Sequence, residues 1–129
     1  MERSTATIHT GHIADDSRAI ASPLILSTTF ERGDDGLSYP GNYVYSRYDT
    51  PNRHALEQKL AVMEGGMDCV TFSSGLTSIM AVFQSLGTGS HIILPDDVYF
   101  GVRHIIGVLY AQWNLSCSYV DMSNHGAVK

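Results

Sequence analysis

The chain has 129 residues, which leaves room for one domain, or one piece of a larger domain, at roughly 100 to 200 residues per domain. Hydrophobic residues make up 43% and charged residues 16%, and the charged share is below the roughly 25% of average globular proteins. This composition excludes disorder and collagen, and it predicts that part of the surface is covered. The net charge of −5, with no basic cluster, argues against a nucleic-acid partner.

A membrane partner is not expected either, because no apolar run approaches the roughly 20 residues that a spanning helix needs. Residues 1–5 lead into no apolar stretch of the signal-peptide kind, so we expect a cytoplasmic protein. Cys69 and Cys117 are far apart and each lies in an apolar run. We predict two buried free thiols, because a disulfide framework or a metal site would need more closely spaced cysteines.

Residues 1–49 show little helical periodicity and are predicted to form an extended arm. Its most β-prone stretch is residues 23–30. An extended arm cannot bury its own apolar side chains, so Leu24, Ile25, Leu26 and Phe30 are expected to pack on something else. A neighbouring subunit would serve.

From Thr50 onward the sequence alternates between helix and strand signals. Thr50 and Pro51 are typical of a helix start, and Gly65 is typical of a helix end. Helical periodicity predicts helices over residues 51–64, 76–86 and 102–109, with residues 73–75 as a turn and cap, and short apolar runs predict strands over residues 69–72, 91–94 and 115–120. Single helices between short strands indicate a βαβαβ parallel sheet, so the fold class is α/β.

Ligands of such sheets bind beyond the carboxyl ends of the strands, which directs attention to residues 73–77 and 96–99. In the first segment Gly75 lets a ligand approach the backbone, and the free N–H groups of a helix start favour an anion such as phosphate. An ordinary N-cap with nothing bound is the alternative.

Two other segments carry side chains that could contact a ligand. Tyr45 and Arg47, with Arg53 nearby in sequence, can hydrogen-bond to a phosphate, although a loop tyrosine and arginine are often simply solvated. The ring of Tyr99 can stack on a planar heterocycle or, alternatively, pack over the end of a strand. Residues 96–97 are interpreted as turn and cap residues and not as a metal site.

Several motifs together point to one family. The chain resembles the cystathionine γ-synthase, γ-lyase and β-lyase family of transsulfuration enzymes, which use pyridoxal 5′-phosphate. The resemblance extends from residue 8 to residue 121, and its most specific motifs are Tyr45-Ser46-Arg47, Thr50-Pro51-Asn52-Arg53, Phe72-Ser73-Ser74-Gly75 and Asp97-Val98-Tyr99.

The resemblance implies a role for each candidate residue. Tyr45 and Arg47 would bind the cofactor phosphate of a neighbouring subunit. Gly75 and Leu76 would donate backbone N–H groups to the phosphate of their own subunit. Tyr99 would stack on the pyridine ring and assist proton transfer near the substrate, as the one catalytic residue assigned.

The chain also differs from the family pattern. Leu76 replaces a methionine, Phe100 a glycine and Val102 a threonine, which leaves the substrate open. The resemblance assigns the imine-forming lysine of the family to neither Lys59 nor Lys129.

Residues 1–49 are therefore interpreted as the arm, and residues 50–129 as the first part of the cofactor-binding large domain, of a fold-type I transferase. The whole enzyme would act on sulfur amino acids or activated homoserine by β- or γ-elimination or replacement. A homo-oligomer, a dimer of dimers in the family, is implied, and this chain alone is expected to be inactive. A non-catalytic phosphate-binding or heterodimerising module and a truncated gene remnant remain alternatives.

Overall fold

The structure is a computed structural model that describes residues 2–128. The chain divides into two compact units, one ending at Thr71 and the other beginning at Phe72, and each is described by itself. The first unit contains helices α1 (Arg3–His9) and α2 (Pro51–Glu64). The second contains helix α3 (Gly75–Gln84), strand β1 (His91–Pro95), helix α4 (Phe100–Val108), a 3₁₀ turn (Tyr110–Trp113) and strand β2 (Ser116–Val120).

Helix α2 begins and ends as its sequence predicts. The Thr50 hydroxyl accepts the N–H of Arg53 at 3.2 Å, and Pro51 occupies the first turn, where no backbone donor is needed. Gly65 closes the helix in a left-handed conformation. No helix within residues 2–128 is long and apolar enough to cross a membrane.

The arm is less extended than predicted, because residues 3–9 form α1. Ala6 is buried and α1 packs against α2. The chain leaves α1 through Gly11, where φ is +70° and a Cβ atom would lie 2.2 Å from the carbonyl oxygen of Ala55. Only glycine fits this close approach to α2, so part of the arm packs within its own unit.

An asparagine side chain joins the β-prone part of the arm to α2. The Asn52 side chain accepts the N–H of Ile25 at 2.8 Å and donates to the carbonyl of Pro23 at 2.9 Å. Ile25 is half-buried there, whereas Leu24 and Leu26 are 76% and 81% exposed. The arm therefore buries one face on its own unit and leaves the other face free.

We predict that Asn52→Ala loosens residues 23–25 from α2. Each lost hydrogen bond costs about 1 kcal/mol, and amide exchange at Ile25 should accelerate accordingly. Asn52→Asp, which keeps the acceptor and loses the donor, should have the smaller effect. Unchanged Ile25 exchange in Asn52→Ala would contradict this role.

A polar turn in the arm is held by hydrogen bonds to the carboxylate of Asp35. The N–H groups of Ser38 and Leu37 and the Ser38 hydroxyl donate to the Asp35 carboxylate and hold the pKa of Asp35 below its usual range. A carboxyl group whose folded pKa is lowered stabilises the turn above its unfolded pKa, and this stabilisation is lost as pH falls through the folded value.

We therefore expect the Ser38 and Leu37 amide resonances to move in an acid titration below the ordinary range of aspartate. The measurement is an NMR titration of the Asp35 carboxyl carbon and of both amides. Asp35→Asn keeps the acceptor oxygen without the titratable charge, so it should abolish the pH dependence. A midpoint at or above the ordinary aspartate value would contradict the geometry.

The second unit contains a small parallel sheet, and helix α4 lies between its two strands along the chain. Strands β1 and β2 pair in parallel from His91 opposite Ser116 to Pro95 opposite Val120. The core lies between the sheet and the helices, and Tyr110 anchors it by donating its phenol to the carbonyl of Met80 at 3.0 Å. The buried residues of this core are Phe83, Val102, Ile105, Ile106, Tyr110 and Leu115.

The α/β class is confirmed, but the first of the three predicted strands does not join the sheet. Residues 69–72 make no strand pairing in the described part of the chain. Two of their backbone donors go to carboxylates instead, since Asp68 accepts the N–H of Cys69 and Glu57 accepts the N–H of Thr71, both at 2.8 Å. Cys69 and Cys117 are free, as predicted, but half-buried.

Candidate functional site

The start of helix α3 presents two unused hydrogen-bond donors. Ser74 is the N-cap, and its hydroxyl accepts the N–H of Thr77 at 3.2 Å. This is the ordinary N-cap that the sequence allows. The N–H groups of Gly75 and Leu76 precede that bond and have no hydrogen-bond partner within residues 2–128. They are available to an external acceptor.

The space and the field at this helix start suit an anion. A Cβ atom on Gly75 would meet no atom of residues 2–128 within 4 Å, so a ligand can approach the backbone there. The helix macrodipole places partial positive charge at the same point, which stabilises a phosphate group. Gly75 and Leu76 therefore offer two free donors and open space of the kind that an anion needs.

Tyr99 lies beside this helix start. It occupies the N-cap position of α4 without a capping side-chain bond, and its side chain is 71% exposed. A Cβ atom built on Gly101 would lie 2.6 Å from Cε1 of Tyr99 and 3.3 Å from Cδ2 of Leu76. The tyrosine ring and the leucine side chain thus approach the same point above Gly101, which brings the predicted stacking residue near one of the predicted phosphate donors.

An arginine fixes the loop that carries Tyr99. Arg103 donates to the carbonyl of Asp96 and lies 4.2 Å above the ring of Tyr119. The contact between Arg103 and the Tyr119 ring is a cation–π interaction. A side-chain hydrogen bond with Cys117 raises the pKa of the Tyr119 phenol.

The predicted capping role of residues 96–97 is wrong, because Tyr99 holds the N-cap position. The turn that we assigned to this segment is present, since Val98 donates its N–H to the carbonyl of Pro95 at 3.2 Å. Asp96 donates its own N–H to the carbonyl of Val120 at 2.9 Å, which ties the loop to the end of β2.

Sequence reasoning missed Gly101 and Arg103. Gly101 has a signal in the sequence, since a glycine inside the first turn of a helix lowers stability and calls for a packing reason. Arg103 has none, because its acceptor is the backbone carbonyl of Asp96 and any residue has such a carbonyl.

We predict that Gly101→Ala displaces the ring of Tyr99. The new methyl group would overlap Cε1, so the contact between the ring and Leu76 should be lost or weakened. The measurement is the set of NMR cross-peaks between the Tyr99 ring protons and the Leu76 methyl groups.

Gly107→Ala is the matched control on the same helix. A Cβ atom there meets nothing within 4 Å in the described chain, so the substitution should stabilise α4 by about 0.5 to 1 kcal/mol and leave the ring in place. Unchanged Tyr99–Leu76 cross-peaks in Gly101→Ala would show that Gly101 does not seat the ring.

The other predicted phosphate ligands lie together in the first unit. Tyr45 pairs with Thr29 in a single antiparallel bridge, and its carbonyl accepts the N–H groups of Tyr48 and Asp49 at 2.9 and 3.2 Å. The guanidinium carbon of Arg47 lies 4.9 Å from the centre of the Tyr45 ring. Tyr45 is half-buried and Arg47 is exposed, with no ion pair to the guanidinium within residues 2–128.

Arg53 differs from Arg47 in having its charge already paired. It lies 3.3 Å from Asp49 and 3.9 Å from Glu57, and the three residues help to line a surface cavity of about 400 Å³ that Arg47 also lines. Asp49, His54 and Glu57 have donor atoms within 4.8 Å of one another. With the Arg53 guanidinium between the two carboxylates, we assign no metal ion to this group.

Comparison with known proteins places the chain in a family. The family described as Cys/Met metabolism PLP-dependent enzyme matches residues 4–129. The chain is 39% identical over 121 residues to a cystathionine β-lyase of Lactococcus lactis subsp. cremoris, covering 93% of this chain and 31% of the relative. It is 35% identical over 122 residues to human cystathionine γ-lyase, covering 93% and 30%.

Solved structures agree with this assignment. The metB protein of Corynebacterium glutamicum superposes with a TM-score of 0.87 at 33% identity, over 100% of this chain and 35% of that one. Cystathionine γ-lyase of Lactobacillus plantarum, solved with L-serine, gives 0.83 at 32% identity, over 99% and 33%. The chain spans about a third of the length of the curated relatives it matches. It belongs to the PLP-dependent enzyme family of Cys/Met metabolism.

Proposed function

We propose that this chain provides the phosphate-binding end and the stacking ring of a pyridoxal 5′-phosphate site in a transsulfuration enzyme. One observation carries the proposal: the exposed ring of Tyr99 and the side chain of Leu76 both approach Gly101, and the N–H groups of Gly75 and Leu76 have no partner within residues 2–128. An anionic group at the helix start and a flat ring beneath the tyrosine are the two parts of that cofactor.

The phosphate would be held by both backbone and side chains. Gly75 and Leu76 would donate their N–H groups, and the start of α3 would add the favourable field of the helix dipole. Arg47 would donate a forked pair of hydrogen bonds and Tyr45 a phenol hydrogen bond, to the phosphate in a neighbouring subunit as the family resemblance implies.

Tyr99 would have two tasks. Its ring would stack on the pyridine ring, which contributes about 0.5 to 1.5 kcal/mol beyond burial. Its phenol oxygen would hold or move a proton beside the substrate. The bound cofactor would supply the electron sink that stabilises negative charge at the substrate α-carbon.

The substrate class that fits is a sulfur amino acid or an activated homoserine, by elimination or replacement at the β- or γ-carbon. The curated relatives named above are a cystathionine β-lyase and a cystathionine γ-lyase, which supports this substrate class without selecting one reaction. A homo-oligomer and a cytoplasmic location belong to the same proposal and rest on the resemblance. Because the resemblance assigns the imine-forming lysine to neither Lys59 nor Lys129, and Lys129 lies outside the described residues, we propose that these 129 residues do not catalyse by themselves.

The test uses pyridoxine 5′-phosphate, which lacks the aldehyde and cannot form imines with surface amines. In an NMR titration of the ¹⁵N-labelled chain, the amide resonances of Gly75 and Leu76 should move with this compound and not with phosphate-free pyridoxine. Tyr99→Ala should weaken binding about two- to tenfold, the equivalent of the stacking energy, and Tyr99→Phe should bind like the natural chain.

Saturating shifts elsewhere in the chain, with Gly75 and Leu76 unmoved, would contradict the phosphate assignment. Equal loss of binding in Tyr99→Ala and Tyr99→Phe would contradict ring stacking, since only the alanine variant lacks the ring.

A further inference from the structure

The turn that carries Arg47 is closed by backbone hydrogen bonds: the carbonyl of Tyr45 accepts two N–H groups, and Ser46 donates its N–H to the carbonyl of Thr28 at 2.9 Å. The Arg47 side chain itself contacts only the Tyr45 ring among the interactions of the described residues. An exposed arginine at such a turn has several rotamers, and binding a phosphate with two of its guanidinium N–H groups requires that most of these rotamers be excluded.

Arg53 holds this turn from helix α2. Its guanidinium donates to the carbonyl of Tyr48 and, at 3.5 Å, to the carbonyl of Ser46. These are the residues immediately before and after Arg47. A single guanidinium therefore binds the peptide group just before Arg47, through the carbonyl of Ser46, and the peptide group that follows Tyr48.

The charge of Arg53 is balanced within the same unit. Asp49 accepts from its guanidinium at 3.3 Å, and Glu57 lies 3.9 Å from its Nε. Glu57 is itself fixed, because one of its oxygens accepts both the N–H and the hydroxyl of Thr71 at 2.8 and 2.9 Å. The Glu57 side chain is only 13% exposed, so screening by solvent is limited.

We propose that Arg53 is a positioning residue and not a second phosphate ligand. It holds the turn of residues 45–49 so that the unpaired guanidinium of Arg47, seated on the Tyr45 ring, faces the phosphate. The identity of that ligand rests on the proposed function, whereas the positioning of the turn does not.

The first test needs no ligand. Protons of the Arg47 side chain above the Tyr45 ring should show an upfield ring-current shift in the NMR spectrum of the full chain. Arg53→Gln should reduce this shift by at least about half, and Arg53→Lys, which keeps the charge but lacks the fork, should fall between them. Lys59→Gln removes a positive charge from the same helix and should leave the shift unchanged.

The second test is a double-mutant cycle with inorganic phosphate as the probe. Arg47→Ala and Arg53→Gln should each weaken phosphate binding about three- to tenfold, the range expected for the loss of one typical hydrogen bond. In the Arg47→Ala background Arg53→Gln should have no further effect, because a positioning residue acts through the group that it places. Circular dichroism of each variant checks that α2 is retained.

The outcomes separate this inference from the proposed function. An unchanged ring-current shift in Arg53→Gln, with α2 retained, overturns the positioning role whether or not phosphate binds. A further loss of binding in the double variant overturns it as well, because Arg53 would then contact the anion itself. If Arg47→Ala leaves phosphate binding unchanged, the assigned role of Arg47 in the proposed function fails, and the ring-current shift alone decides the role of Arg53.

Discussion

The site depends on two backbone N–H groups that the fold leaves unpaired, those of Gly75 and Leu76. Every helix begins with such donors, and Ser74 uses its hydroxyl on the third position of the helix while leaving the first two free. Gly75 adds open space, and Leu76 turns its side chain toward Gly101 and Tyr99. A phosphate at this point would satisfy the donors, and a planar ring attached to it would lie near the tyrosine. In the proposed site, the favourable charge, the open space and the stacking surface would all follow from how one helix starts.

The first unit contains no sheet within the described residues, so other contacts hold its non-helical segments. Buried or half-buried backbone groups need partners, and here side chains of α2 provide them. Asn52 pairs with the backbone of residues 23 and 25, Glu57 accepts from Thr71, and Arg53 donates to the turn that carries Arg47. Polar side chains of helix α2 thus hold both the arm and the turn. Arg103 does the equivalent work in the second unit by closing the loop before Tyr99.

The helices and the two paired strands could be predicted because their signals are local: Thr50 and Pro51 start α2, Ser74 caps α3, and the apolar runs of β1 and β2 are short and well bounded. The run at residues 69–72 has the same composition but does not pair, since strand formation depends on a neighbour that local pattern cannot supply. Helix α1 was missed because seven residues with one buried alanine carry little periodicity. Tyr45, Arg47, Gly75 and Tyr99 were candidates from their chemistry and their place in the predicted fold, whereas the family resemblance added Leu76 and the specific roles, which stay predictions. Gly101, Arg103 and the role of Arg53 depend on contacts between segments, which no spacing rule reveals.

The central claim is that the cofactor phosphate sits at the start of α3 with its ring against Tyr99. The most direct measurement is a crystal structure of the chain with pyridoxal 5′-phosphate bound. The account predicts phosphate oxygens about 2.7 to 3.2 Å from the backbone nitrogens of Gly75 and Leu76, and a pyridine ring stacked on Tyr99. A phosphate bound beyond hydrogen-bond distance of both nitrogens, or a ring with no contact to Tyr99, would contradict it.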